Sequence, residues 1–143
     1  MVEEFSFAYL EKMISHFKGL GAIVLLHICN NTTRLLNRMV EIGSDILSLD
    51  VQVDLAEAKR IVDGRATISG NVATWNLAMS SPEEIYRESC HCIEKCAEGG
   101  YFTLGSSCEV PLETPAENID AMVRAAREFG PMFLRGREKT GMS

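Results

Sequence analysis

His27 and Cys29 stand one residue apart, and a third residue of similar chemistry, Cys108, follows far downstream in Gly105-Ser106-Ser107-Cys108-Glu109. One imidazole and two thiols form a donor set that suits zinc. Three protein donors leave a fourth position open, which is the catalytic arrangement rather than the structural one. Two thiolates would also cancel the charge of a divalent ion. An incoming thiol could then lose its proton and stay electron-rich, so such a site suits alkyl transfer to sulfur better than water activation. The competing explanation is that these are buried free cysteines, which are common and inert. His-x-Cys is too short a pattern to decide between the two.

For these residues to act together, the elements carrying them must bring them to one place. Ala22 to Cys29 is a run of strand length that is apolar except at His27, so His27 and Cys29 project from one face at its C-terminal end. Tyr101 to Ser107 reads as the last of four strands, with Cys108 just past its end. In α/β folds, ligands bind at the carboxyl ends of strands. The three candidate ligands therefore come from the right edge of the sheet.

The remaining punctuation is regular. Phe5, Ala8, Tyr9, Met13 and Phe17 follow helical spacing, and Gly19 and Gly21 end that helix. Thr33 to Ile42 returns to helical spacing, and Asp45 to Asp50 reads as a short strand. Asp54 with Glu57 opens a helix that ends at Gly64, and Arg65 to Val72 reads as the third strand. Ser81-Pro82-Glu83-Glu84 starts a helix that runs to about Glu98. Thr114-Pro115-Ala116-Glu117 repeats the signal before a last helix ending near Gly130. The pattern is α(βα)4, an α/β fold with a four-stranded parallel sheet covered by helices. Residues 1–130 read as one unit, and 131–143 as a flexible C-terminal tail.

Further residues share the strand-end edge. Asp50 ends the second strand and is a candidate partner for His27 or a substrate contact. Asn71 ends the third strand and is a candidate for the same pocket, and Glu109 is a candidate for the open metal position. Trp75 and Met79, in the loop after the third strand, read as packing residues, and His16 reads as a surface residue. Cys90-His91-Cys92 with Cys96 resembles a metal cluster but sits inside a helix. Ile85, Ser89, Cys92 and Cys96 fall on its apolar face, and His91 points to solvent, so core packing is the expectation.

The bulk composition agrees with this reading. There are 143 residues, enough for one compact core, and a net charge of −6 with acids and bases interspersed. No basic face offers itself to nucleic acid. The longest apolar run, Ala22 to Leu26, is too short to cross a bilayer. The acidic start lacks the pattern of a secretory signal, and the expected location is cytoplasmic. Five cysteines, an odd number, argue for free thiols or metal ligands rather than a disulfide framework.

The stretch Leu26-His27-Ile28-Cys29-Asn30-Asn31-Thr32-Thr33 resembles the His-x-Cys strand end of the methylcobamide:coenzyme M methyltransferases, a branch of the uroporphyrinogen decarboxylase superfamily. Ile46-Leu47-Ser48-Leu49-Asp50, Gly70-Asn71-Val72, Ser106-Ser107-Cys108-Glu109-Val110-Pro111 and Thr114-Pro115-Ala116-Glu117-Asn118-Ile119 recur there in the same order. The resemblance covers about residues 3 to 130 and implies half of a (βα)8 barrel. It implies zinc held by His27, Cys29 and Cys108, and a thiol that takes a methyl group from a methylated corrinoid on a partner protein. It also implies that the chain begins at the helix before the fifth strand of such a barrel. In the decarboxylase branch the first half supplies the aspartate and arginines that engage porphyrinogen carboxylates. Decarboxylation is the alternative activity, and an inactive folded fragment or the partner subunit of a split barrel is the third reading. An open half-barrel leads to the expectation of a homodimer, or of a complex with a separate N-terminal-half chain.

Overall fold

The computed structural model describes residues 3–134. Four strands, β1 (Leu25–Ile28), β2 (Ile46–Leu49), β3 (Thr67–Val72) and β4 (Phe102–Ser106), pair in the order β1-β2-β3-β4. Every pairing is parallel, with Leu25 beside Ile46, Ile46 beside Thr67, and Ile68 beside Phe102. Parallel neighbours need a crossover, and helices supply each one. A helix α1 (Ala8–Gly19), entered through a single π turn at Glu3–Phe7, precedes β1. The crossovers are α2 (Leu36–Glu41), α3 (Leu55–Val62), and a pair after β3, α4 (Thr74–Met79) and α5 (Pro82–Cys96). Helix α6 (Ala116–Glu128) follows β4, with a short α7 at Pro131–Leu134. This is the expected α(βα)4 arrangement, an open arc of the kind that makes half of a (βα)8 barrel. Of the segment read as a tail, residues 131–134 form α7, and 135–143 lie outside the described residues.

Local chemistry explains where the elements start. Asp54 caps α3, its Oδ1 accepting the Glu57 N–H at 2.9 Å. Ser81 and Glu84 form a reciprocal capping box at α5, with Pro82 in the first turn. The similar signal at Thr114 works differently. Helix α6 begins at Ala116 with Pro115 as the flanking residue and no side-chain cap, and the Thr114 hydroxyl is buried without a partner among the described residues. The Trp75–Met79 segment, expected as a loop, is the short helix α4. Its residues were expected to pack, yet Trp75 and Met79 are 58% and 85% exposed. Six residues form too short a turn for one face to be buried fully, and Leu77 takes that role.

The core lies between the sheet and the helices. Leu47, Leu49, Ile68 and Val72 point into it from the strands. Leu36, Met39, Leu55, Ala58, Val62, Ile85, Cys92 and Cys96 meet them from α2, α3 and α5. Because strand side chains alternate, the other face carries Leu25, His27, Ile46, Ser48, Thr67 and Ser69, none of them fully buried. Of the strand residues Leu25, Leu47 and Ile68, only Leu25, half exposed, stands on that open face. Helix α1 buries Ile14. The stripe Phe5, Tyr9, Met13, Phe17, at four-residue spacing, is exposed, with Leu20 beyond it.

Candidate metal centre

His27 and Cys29 sit at the end of β1 and in the turn after it, and Cys108 lies in the turn after β4. These strands occupy opposite edges of the sheet. In a flat sheet they would stand about 14 Å apart, three spacings of roughly 4.8 Å. The arc curls instead, and the loops reach over its C-terminal mouth. The Cys29 and Cys108 sulfurs are 3.8 Å apart, and Cys29 Sγ is 3.3 Å from His27 Nε2. All three donor atoms lie within 4.8 Å of one another. Tetrahedral zinc with bonds of about 2.3 Å to sulfur and 2.0 Å to nitrogen would separate sulfur from sulfur by ~3.8 Å and sulfur from nitrogen by ~3.5 Å. The donor set suits that ion, and the two separations measured from Cys29 match its spacing.

Neighbouring groups set the donors. His27 Nδ1 is 3.1 Å from both the carbonyl and the hydroxyl of Ser48, the residue beside it in the parallel register. A carbonyl only accepts, so Nδ1 carries the hydrogen and Nε2 presents its lone pair toward Cys29. Ser106 Oγ donates to the Cys108 carbonyl at 2.6 Å and closes the turn that carries this cysteine. The Ser107 N–H donates to the Val72 carbonyl at 2.7 Å, anchoring the same turn to β3. The hydrogen bond with Cys108 pushes the Cys29 thiol above its ordinary range, and the charge of Cys108, some loss of hydration and the Asp50 charge add to it. Two sulfurs this close resist joint ionisation, and a cation between them removes that resistance.

The other candidates fall into distinct places. Asp50 does not partner His27: its carboxylate accepts the backbone N–H groups of Asn30 and Gln52, both at 3.0 Å, while Ser48 takes the imidazole. Asn71 is buried rather than lining the mouth, and its amide donates to the Asp50 and Val53 carbonyls at 3.1 and 2.8 Å. Glu109 is exposed beside Cys108. In α5, Cys92 and Cys96 are buried and His91 is exposed, 3.9 Å from Glu94, as the helical periodicity requires. His16 is exposed on α1. The role of Ser48 was missed, although its register beside His27 would have pointed to it once the strands were paired.

Comparisons with known proteins agree with this layout. Residues 1–129 match the family described as Uroporphyrinogen decarboxylase (URO-D). The methylcobamide:CoM methyltransferase MtaA of Methanosarcina barkeri is 29% identical over 124 residues, covering 85% of this chain and 35% of that protein. The uroporphyrinogen decarboxylase of Anaeromyxobacter dehalogenans is 31% identical over 132 residues, covering 90% of this chain and 36% of that protein. The solved structure of a methyltransferase from Methanosarcina mazei superimposes with a TM-score of 0.79 at 28% identity, covering 90% of this chain and 36% of that one. The chain therefore spans about a third of the length of the curated relatives it matches. With a matched region that covers all four strands and all three candidate ligands, the chain belongs to the uroporphyrinogen decarboxylase family.

Proposed function

We propose that this chain is the thiol-activating part of a zinc-dependent methyltransferase, moving a methyl group from a methylated corrinoid on a partner protein to a small thiol. The observation that carries the reading is the convergence of His27, Cys29 and Cys108 from opposite edges of the sheet onto one point at its C-terminal mouth. These three residues hold the metal in this reading. Zinc bound there would supply the positive charge that keeps an incoming thiol ionised near neutral pH. Ser48 holds the His27 tautomer, and Ser106 holds the turn that presents Cys108. In the transfer, a carbon–sulfur bond forms as the donor's bond to the methyl carbon breaks, and the acceptor gives up its thiol proton.

Family relatives with decarboxylase names are about as similar as those with methyltransferase names, so decarboxylation stands as the second reading. The two-thiol, one-imidazole set favours methyl transfer, because it equips the mouth for a soft nucleophile rather than for porphyrinogen carboxylates. Closure of the barrel belongs to the same proposal. The open face at Leu25 and Ile46 and the exposed stripe of Phe5 in the π turn and Tyr9, Met13 and Phe17 on α1 are covered by the strands and helices that complete the arc. The relatives' remaining two thirds of length supplies such a segment, and a second copy of the chain is the alternative occupant.

The test is zinc-loaded chain, completed by a complementary N-terminal half, given methylcobalamin and a small thiol. Thioether should form, and Cys29→Ala and Cys108→Ala should stop it. Release of carbon dioxide from uroporphyrinogen without methyl transfer would overturn the proposal.

A further inference from the structure

Cys29 lies outside the regular hydrogen bonding of β1, so something else must fix where its sulfur points. The next residue, Asn30, has a φ of +68°, in the left-handed region that non-glycine residues seldom adopt. Its N–H donates to Asp50 Oδ2 at 3.0 Å, and its side-chain oxygen accepts from Gln52 Nε2 at 3.4 Å. The other Asp50 oxygen accepts from the Gln52 N–H at 3.0 Å, so one carboxylate ties the turn after β1 to the turn after β2. Asp50 is in turn held from behind. Asn71, 7% exposed, donates one amide hydrogen to the Asp50 carbonyl and the other to the Val53 carbonyl, and accepts from Cys92 Sγ at 3.7 Å. A continuous chain of hydrogen bonds thus runs from the core face of α5 to the backbone next to Cys29.

We infer that Asp50 is a positioning residue for Cys29: by gripping the Asn30 N–H it holds the post-β1 turn in its left-handed form and aims the Cys29 sulfur at Cys108 and His27. The inference rests on the reading of these three residues as one site. Side chains that orient metal ligands are ordinarily worth roughly 10–100-fold in metal affinity.

The test uses two readouts on the full purified chain. The first is zinc affinity, together with the absorption of the cobalt(II) form, whose sulfur-to-metal band reports the number of bound thiolates. The second needs no metal: in oxidised glutathione, the Cys29 and Cys108 thiols become one protein disulfide as the reagent is reduced to two glutathione thiols, and peptide mapping gives the rate for this pair. Asp50→Ala should weaken zinc binding by roughly 10–100-fold, reduce the thiolate band, and slow pairing by about tenfold. Asp50→Asn has a single oxygen for two N–H groups and should fall between wild type and Asp50→Ala, and it serves if the alanine variant does not fold. Folded variants with wild-type zinc affinity and pairing rate would overturn the inference. If wild type pairs its thiols faster than the variants yet binds no zinc, the metal reading fails and the positioning role stands. If wild type does neither, both fail.

Discussion

Cys96 and Cys92 offer a quantitative check on the claim that α5 packs against the sheet and holds no metal. Both are core residues, 0% and 5% exposed. Replacing each with alanine removes a group near the size of a methylene, worth about 0.8 kcal/mol of transfer. A cavity of roughly 20 Å³ adds ~0.5 kcal/mol at about 24 cal/mol per Å³. The double variant should therefore lose about 2–3 kcal/mol, or about 5–10 °C in Tm for a chain of this size. Burial also raises the Cys96 thiol to about 11, against about 8.5 for an unfolded cysteine. Between those values the unfolded chain gives up its proton while the native one keeps it, so wild type loses stability as pH rises. Cys96→Ala removes this dependence, so its deficit of ~1.3 kcal/mol against wild type should shrink above about pH 8.5, vanish roughly one pH unit higher, and reverse before about pH 11. Urea titrations at several pH values, with zinc analysis alongside, measure both effects. An unchanged Tm would refute the packing argument, and loss of bound zinc from the double variant would refute the assignment of the metal.

Zinc uptake should release thiol protons. Because the pairing with Cys108 raises the Cys29 thiol, affinity should climb with pH across the neutral range, by up to ~100-fold per unit while both thiols are protonated; titration calorimetry in buffers of different ionisation enthalpy reads the protons, and a pH-independent affinity would contradict binding through two thiolates. The purified chain should sediment as a dimer or bind a complementary half-barrel, and a charge on the α1 stripe, such as Met13→Asp, should weaken that association; a soluble monomer at micromolar concentration without a partner would refute closure. Asn118, 1% exposed, donates to the Leu77 and Ser80 carbonyls at 2.8 and 2.9 Å. Asn118→Ala should cost about 2 kcal/mol or more by leaving both acceptors bare, and a urea midpoint within error of wild type would show that the α4–α6 tie carries no stability.

Much of this architecture was legible because local rules and tertiary demands agree. The Asp54 and Ser81 caps mark their helices in the sequence and in the fold alike. Period-two spacing put His27 and Cys29 at one strand end, and helical spacing put Cys92 and Cys96 inside and His91 outside. The convergence of Cys108 with that pair was not legible from spacing, since 79 residues separate it from Cys29 and only the curl of four paired strands closes the distance. Resemblance to a family supplied that link. The supporting groups were harder still. Asp50 looked like a histidine partner because it ends the neighbouring strand, but the parallel register gives His27 to Ser48 and leaves Asp50 for the backbone of the turn. Asn71 carries the polarity of a pocket residue, yet its amide is spent on two backbone carbonyls. Thr114 copies the helix-start signal of Ser81, but Pro115 shifts the start by one residue and the hydroxyl finds no helix N–H.

The most direct test of the central claim is the metal content of the purified, reduced chain after zinc loading and removal of excess metal. The expected result is about one zinc per chain, bound through one imidazole and two thiolates as read from the cobalt(II) form, lost on Cys108→Ala and retained in Cys92→Ala/Cys96→Ala. A folded wild-type chain that holds no zinc, or one whose zinc survives loss of Cys108 but not of Cys92 and Cys96, would contradict it.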